Sequence, residues 1–191
     1  METRDFVLLA YAAFDGKMRG KTMLQKRIYF LGEMLGVVDE LGYIPHYYGP
    51  YSPSVANANA ELAALGYLNE SASSATDARG FEIVRYDYAL NNAGKRIAQR
   101  KKEADPDLSA KMQQKASAIK RAGPINYVEL SAAAKIYFVL GELGRKATLK
   151  AIREMAQNLG WAIPGMEMDK AVAFLEAVEL VTRSKSGSGG Q

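Results

Sequence analysis

The chain has 191 residues, enough to bury a substantial core in one domain or two small ones. It contains no cysteine and one histidine, His46, which excludes disulfides, thiol nucleophiles, cysteine-ligated zinc or iron–sulfur sites and any histidine-rich metal centre. A net charge of +4 permits contact with nucleic acid without requiring it.

The start of the chain, Met1-Glu2-Thr3-Arg4-Asp5, is acidic where a signal peptide would be basic, and Phe6–Phe14 is too short to span a membrane. The reading is of a cytoplasmic protein without a membrane segment. Phe6, Leu9, Ala10 and Ala13 recur at helical spacing and predict a first helix over Asp5–Phe14, stopped by Asp15-Gly16. Gly16–Gly20 reads as a basic loop. Thr22–Leu35 is the predicted second helix, with Thr22 as N-cap, Gln25 completing a capping box, and Gly36 in the left-handed closing position. Leu24, Ile28, Leu31 and Leu35 form its apolar stripe, widened by Met23, Phe30 and Met34, which leaves Gln25, Lys26 and Glu33 for solvent.

Val37–Ile44 is a connection with room for one helical turn around Asp39–Leu41, and Pro45–Tyr48 reads as extended. Gly49-Pro50 turns the chain. Ser52 then caps a third helix that opens on Pro53, where a missing N–H is harmless. That helix turns Val55, Ala58, Leu62 and Leu65 inward, presents Ser54, Asn57, Asn59 and Glu61, and ends at Gly66. Tyr67–Asn69 reads as a strand, Ser71–Gly80 as a loop, and Phe81–Tyr88 as an alternating strand. Three helices and then two strands around a loop give the outline of a winged helix.

Leu90–Lys95 opens a helix that runs to Glu103, and Asp105-Pro106 breaks it. Asp107–Ala122 is a basic, polar helix that reads as a connector or a partner-facing surface. Gly123-Pro124 is the predicted boundary. Helices over Tyr127–Leu143, Thr148–Leu159 and Asp169–Val178, followed by a strand-like Leu180-Val181-Thr182, repeat the order of the first half. The predicted fold class is mainly α (α+β). A winged-helix-like domain with a small β-hairpin covers 1–104 and a basic connector helix 105–122. A helical helix-turn-helix-like unit, read as a degenerate winged helix, covers 123–184, and a disordered tail covers 185–191.

Two surfaces are candidates for function. Lys17, Arg19, Lys21 and Lys26, with Arg79 and Arg85 of the wing, supply cations for phosphates, and Asn57 on the third helix has the chemistry to read adenine. That helix carries no Arg or Lys, so the basic loop and wing would carry the contact. The tyrosine-rich turn is the second surface. Tyr48 and Tyr51, with Ser54 and Asn57, suit a protein hot spot or base stacking, whereas Tyr47 reads as packed between the second and third helices. Catalytic signals are weak. His46 has no positioned partner in the sequence. Gly16–Thr22 ends in Gly-Lys-Thr like a phosphate loop, but no apolar strand enters it and the first glycine is one residue too close. No catalysis, cofactor or metal is expected.

Leu24-Gln25-Lys26 with Tyr29-Phe30, followed by Tyr48-Gly49-Pro50-Tyr51-Ser52-Pro53, resembles the "LQKxxYx…xYGPxSP" signature of the SocA-like, or Panacea, domain group. Within that group the chain is most similar to the YwgA-like bacterial and archaeal proteins. Leu62-x-x-Leu65-Gly66-Tyr67-Leu68 fits the helix–glycine–strand step that follows, and Tyr88-x-Leu90-x-x-x-Gly94-Lys95 resembles the segment after the wing in many winged-helix regulators. The resemblance covers roughly Phe6–Gln99. It implies a winged-helix-like fold and a role by protein contact. Panacea domains are associated with antitoxins that neutralise toxins, and the SocA type with an adaptor that delivers a toxin to a protease. The expected function is a non-enzymatic winged-helix regulator that binds nucleic acid through the basic loop and wing; the alternative is an antitoxin or adaptor that binds a protein through the aromatic turn and the helix after it. Either is compatible with a homodimer.

Overall fold

The computed structural model describes residues 1–76, 80, 82–123 and 125–183. Its first half runs α1 (Thr3–Ala13), β1 (Lys17–Arg19), α2 (Lys21–Leu35), a single 3-10 turn (Asp39–Leu41), α3 (Pro53–Ala64), β2 (Leu68–Thr76) and β3 (Glu82–Leu90). This is the element order of a winged helix. The strands form one antiparallel sheet in the order β1-β3-β2. Five helices follow: α4 (Asn92–Ala104), α5 (Pro106–Arg121), α6 (Tyr127–Glu142), α7 (Leu149–Asn158) and α8 (Gly165–Ala177). The chain is thus mainly helical with a small sheet, and none of the described helices is long and apolar enough to cross a membrane.

Several expectations need correction. The basic loop Gly16–Gly20 contains β1, because Lys17, Met18 and Arg19 find partners in Ala89, Tyr88 and Asp87 of β3. Its alternation puts Met18 fully in the core and leaves Lys17 and Arg19 in solvent. The Ser71–Gly80 loop is a strand as far as Thr76. Its small residues have little intrinsic strand preference, but β3 offers a complete ladder from Asp87 to Glu82. Thr22 is not the cap of α2: the helix begins at Lys21 behind Gly20 and no side chain caps it. Pro45–Tyr48 is not extended throughout, since Gly49 N–H donates to His46 O and closes a turn over Tyr47 and Tyr48. Leu65 lies beyond the last turn of α3 and is exposed. Asn59, expected outside, is buried and accepts a 2.6 Å hydrogen bond from the Tyr11 hydroxyl at the α1–α3 contact. Leu180–Thr182 forms no strand. The N–H groups of Leu180 and Val181 instead turn back to Leu175 O. The segment 185–191 lies outside the described residues.

Helix α2 is the axis of the core. Ile28, Phe30 and Leu31 are fully buried, and Phe30 meets Phe174 of α8 edge to face at 5.1 Å between centroids. Each such burial stabilises by about 1.5–3 kcal/mol. The polar helix α5 is a core element as well: Met112, Ala116 and Ile119 are buried, and it packs against α1 and α2. Lys120 of α5 pairs with Asp15 after α1, an exposed contact worth under about 1 kcal/mol, and Lys101 of α4 pairs with Asp5 of α1. Because α6 also packs on α2, apolar contact runs without a break across the Gly123-Pro124 step.

Candidate partner-binding surface

The residues between α2 and α3 form a hairpin-like loop. Ile44 and Tyr51 exchange both backbone hydrogen bonds at 2.9 Å, which makes an antiparallel bridge with His46–Gly49 as its turn. So short a ladder is marginal on its own. Side chains from outside the loop hold it.

Gln25 and Lys26 of α2 supply most of that hold. Gln25 is 4 % exposed. Its amide nitrogen donates to Ser52 O at 2.9 Å and its oxygen accepts from Ser52 N–H at 3.0 Å. This side chain therefore pairs with a backbone as a neighbouring strand would. Ser52 in turn donates through Oγ to Leu41 O and accepts from Val55 N–H at 3.0 Å, joining the 3-10 turn to the start of α3. Tyr43 closes the loop's other end by donating to the Gln25 carbonyl at 2.8 Å. Lys26 is 2 % exposed and donates to Pro50 O at 2.6 Å. From the far side, the Trp161 indole N–H donates to His46 O at 2.7 Å.

Burial lowers the Lys26 pKa to about 7, with the nearby Lys135 ammonium adding to the effect. Lys26 therefore cannot serve as an exposed phosphate ligand, which corrects the sequence reading. The reason is geometric. Loop 44–52 and α6 cover the side of α2 that the apolar stripe left open. Gly49 marks how closely they approach: its φ is +94°, and a Cβ there would stand 3.0 Å from Lys135 Cγ and 3.5 Å from Ser131 O. The left-handed φ favours glycine, and a side chain there would also have to displace Lys135.

What the loop presents is aromatic. Tyr47 is 75 % exposed and Tyr48 54 %, their rings edge to face at 4.8 Å. Tyr47, expected between helices, is thus the more exposed of the pair. Ile44 at the loop's base is also exposed. Tyr127 is exposed one turn before Ser131 on the α6 face that receives Gly49. Tyr51 points elsewhere. It stacks on His46 at 4.9 Å and lines a cleft of about 280 Å³ with Lys21, Gln25, Asn59, Glu70 and Tyr88. Burial raises the Tyr88 hydroxyl in that cleft to about 12, with the Glu70 charge adding to the rise. Ser54 and Asn57 are exposed on α3, where they share a shallow depression with Glu61 and Arg4.

The cationic surface is smaller than the sequence suggests. Lys17 and Arg19 project from β1, and Lys21 lies 4.5 Å over the Tyr86 ring. No carboxylate among the described residues pairs with these three. Arg85 lies beside Gly20, but it makes a two-pronged pair with Asp87 at 3.0 Å. Arg79 lies outside the described residues. Arg27 is half-buried with its guanidinium 5.1 Å over the Phe14 ring, and burial lowers its pKa.

Sequence reasoning missed Gln25, Lys26 and Trp161 as the anchors of this loop. A signal existed for the first two: an apolar stripe that already takes most of the girth of α2 leaves little room for a polar face. Trp161 offered none, being far away in sequence. No protein-family model matches the chain, and no curated protein matches it.

Proposed function

We propose that this protein is a non-enzymatic, cytoplasmic regulatory binding module that engages a protein partner through the Tyr47–Tyr48 turn, in the manner of an antitoxin or adaptor. The observation that carries this reading is the fixed exposure of two tyrosines on a loop whose backbone is hydrogen-bonded to α2 and to Trp161 and whose Ser52 hydroxyl donates to the 3-10 turn. Large aromatic side chains held before binding lose little entropy on contact, which is the property of hot-spot residues. The resemblance to the SocA-like group points the same way.

A second reading, a winged-helix regulator that binds nucleic acid, is favoured by Lys17, Arg19 and Lys21 beside the wing. The outward face of α3, which would enter a major groove, weighs against it, since it offers Asn57 and Glu61 and no cation.

Affinity capture from native lysate, with and without nuclease, separates the two. Recovery of one stoichiometric protein that survives nuclease, and is lost from the Tyr47→Ala/Tyr48→Ala variant at unchanged melting temperature, supports the first. Capture of nucleic acid that weakens steeply with salt and is abolished by Lys17→Glu/Arg19→Glu/Lys21→Glu supports the second and overturns the first.

A further inference from the structure

We propose that the groove between α6, α7, α8 and residues 180–183 is a binding site for a long-chain carboxylate, independent of the aromatic turn. The cavity measures about 600 Å³. Its floor is aliphatic: Leu140 of α6, Ile152 of α7, Val172 and Leu175 of α8, and Leu180 and Val181 of the following segment. Its charged groups are of one sign, for Arg145, Lys146 and Arg183 line it and no Asp or Glu among the described residues does.

The cations are held in place by the backbone around them. After α6 the chain takes two successive left-handed residues, Gly144 at φ +76° and Arg145 at φ +64°. The second is an unfavourable conformation for a residue with a side chain, and it brings Arg145 and the following Lys146 back to the groove. The Arg145 guanidinium is fixed by donating to the Tyr137 hydroxyl at 2.7 Å. Arg183 is held on the far wall by Glu176 at 3.3 Å. Lys146 has no carboxylate partner among the described residues.

An occupant must therefore combine an extended apolar body with an anionic head. The volume lies in the range of small-molecule pockets, roughly 300–1,000 Å³. A docked helix or domain would need a contact of roughly 800 Å² per partner, wider than this groove supplies. A carboxylate gains charge-assisted hydrogen bonds from Lys146 and its neighbours, while a neutral head forgoes them and a cationic one is repelled.

The test titrates the 191-residue chain with cis-parinaric acid, a fluorescent polyene fatty acid, and competes it with hexadecanoate. Saturable binding at one site is expected. Hexadecanoate should displace the probe, and hexadecan-1-ol and hexadecyltrimethylammonium should compete poorly. Lys146→Glu, an exposed position, should weaken binding about tenfold through loss of the charge-assisted contact. Val172→Trp should fill the groove and abolish binding, with circular dichroism confirming the fold. Tyr47→Ala/Tyr48→Ala should bind the probe as the wild type does, which keeps this result separate from that of the aromatic turn. The proposal is overturned by absence of saturable binding, by equal competition from the alcohol or the ammonium amphiphile, or by unaltered affinity in Lys146→Glu. Binding seen only in a chain shortened to Arg183 also overturns it, because the chain's own end would then be the occupant.

Discussion

The Tyr47–Tyr48 turn and the β1 strand both belong to the N-terminal half of α2, since β1 leads into Lys21 while Gln25 and Lys26 hold the loop, and both present the side chains that first draw attention in the sequence. The strand has regular secondary structure, paired over three residues with β3. The turn has almost none. Even so the turn is the more firmly built of the two. Its backbone is fixed by buried side chains from α2 and by Trp161, whereas Lys17 and Arg19 stand on exposed positions of β1 with no ion pair among the described residues. The regularity of a segment's backbone is thus a poor guide to how well its side chains are pre-positioned for binding. The number of buried groups that would lose their partners if the segment moved is a better one.

This contrast can be broken first at Gln25. Gln25→Ala leaves the N–H of Ser52 without a partner in a buried place, while its C=O keeps the N–H of Ala56 at 3.1 Å. The expected loss is about 1–3 kcal/mol of stability for the one orphaned group, read by denaturant unfolding. A loss below about 0.5 kcal/mol would mean that the loop does not depend on the clamp, because that is the scale of surface substitutions.

Lys26 gives a signature in pH. Its pKa in the folded protein, about 7, lies below the unfolded value of a lysine. Between those two values the unfolded chain holds a proton that the folded one does not, so stability rises as pH increases from about 7 towards 10. Below about 7 both states are protonated and this contribution is flat. Lys26→Met should remove that rise while keeping the fold, since an apolar group of similar length tolerates burial. Thermal melts from pH 6 to 10 on both proteins measure it, and parallel curves would show that Lys26 is not the titrating group.

The smallest effect belongs to the strand. Lys17→Glu/Arg19→Glu/Lys21→Glu should shift stability by no more than about 0.5 kcal/mol per site, because these side chains are exposed and unpaired among the described residues. A larger loss would place the cations in the folding energetics and remove the contrast between strand and turn.

Much of the first half was legible in the sequence. Gly36 and Gly66 take left-handed conformations at the ends of α2 and α3, and Ser52 caps α3 with Pro53 at its first position. These are local signals, settled within a few residues, and they carried the helix boundaries well. The errors were those of partnership. β1 and the outer part of β2 have weak strand preference and exist because β3 pairs with both. The polar helix α5 has only a thin apolar stripe, yet Ala116 lets it lie closely on its neighbours and become core.

The sequence alone determined the helices, the Ser52 cap of α3, the order of the first-half elements and the absence of cysteine, since propensity, capping and apolar period are properties of short segments. Tertiary structure decided the roles of the polar residues. Gln25, Lys26 and Asn59 read as solvent-facing and are buried anchors; Tyr47 read as packed and is the most exposed of the loop's aromatics. Whether a polar side chain meets water or a buried carbonyl depends on what packs over it. Here the covering elements are a loop some 25 residues on and a helix more than 100 residues on, beyond the reach of any local pattern.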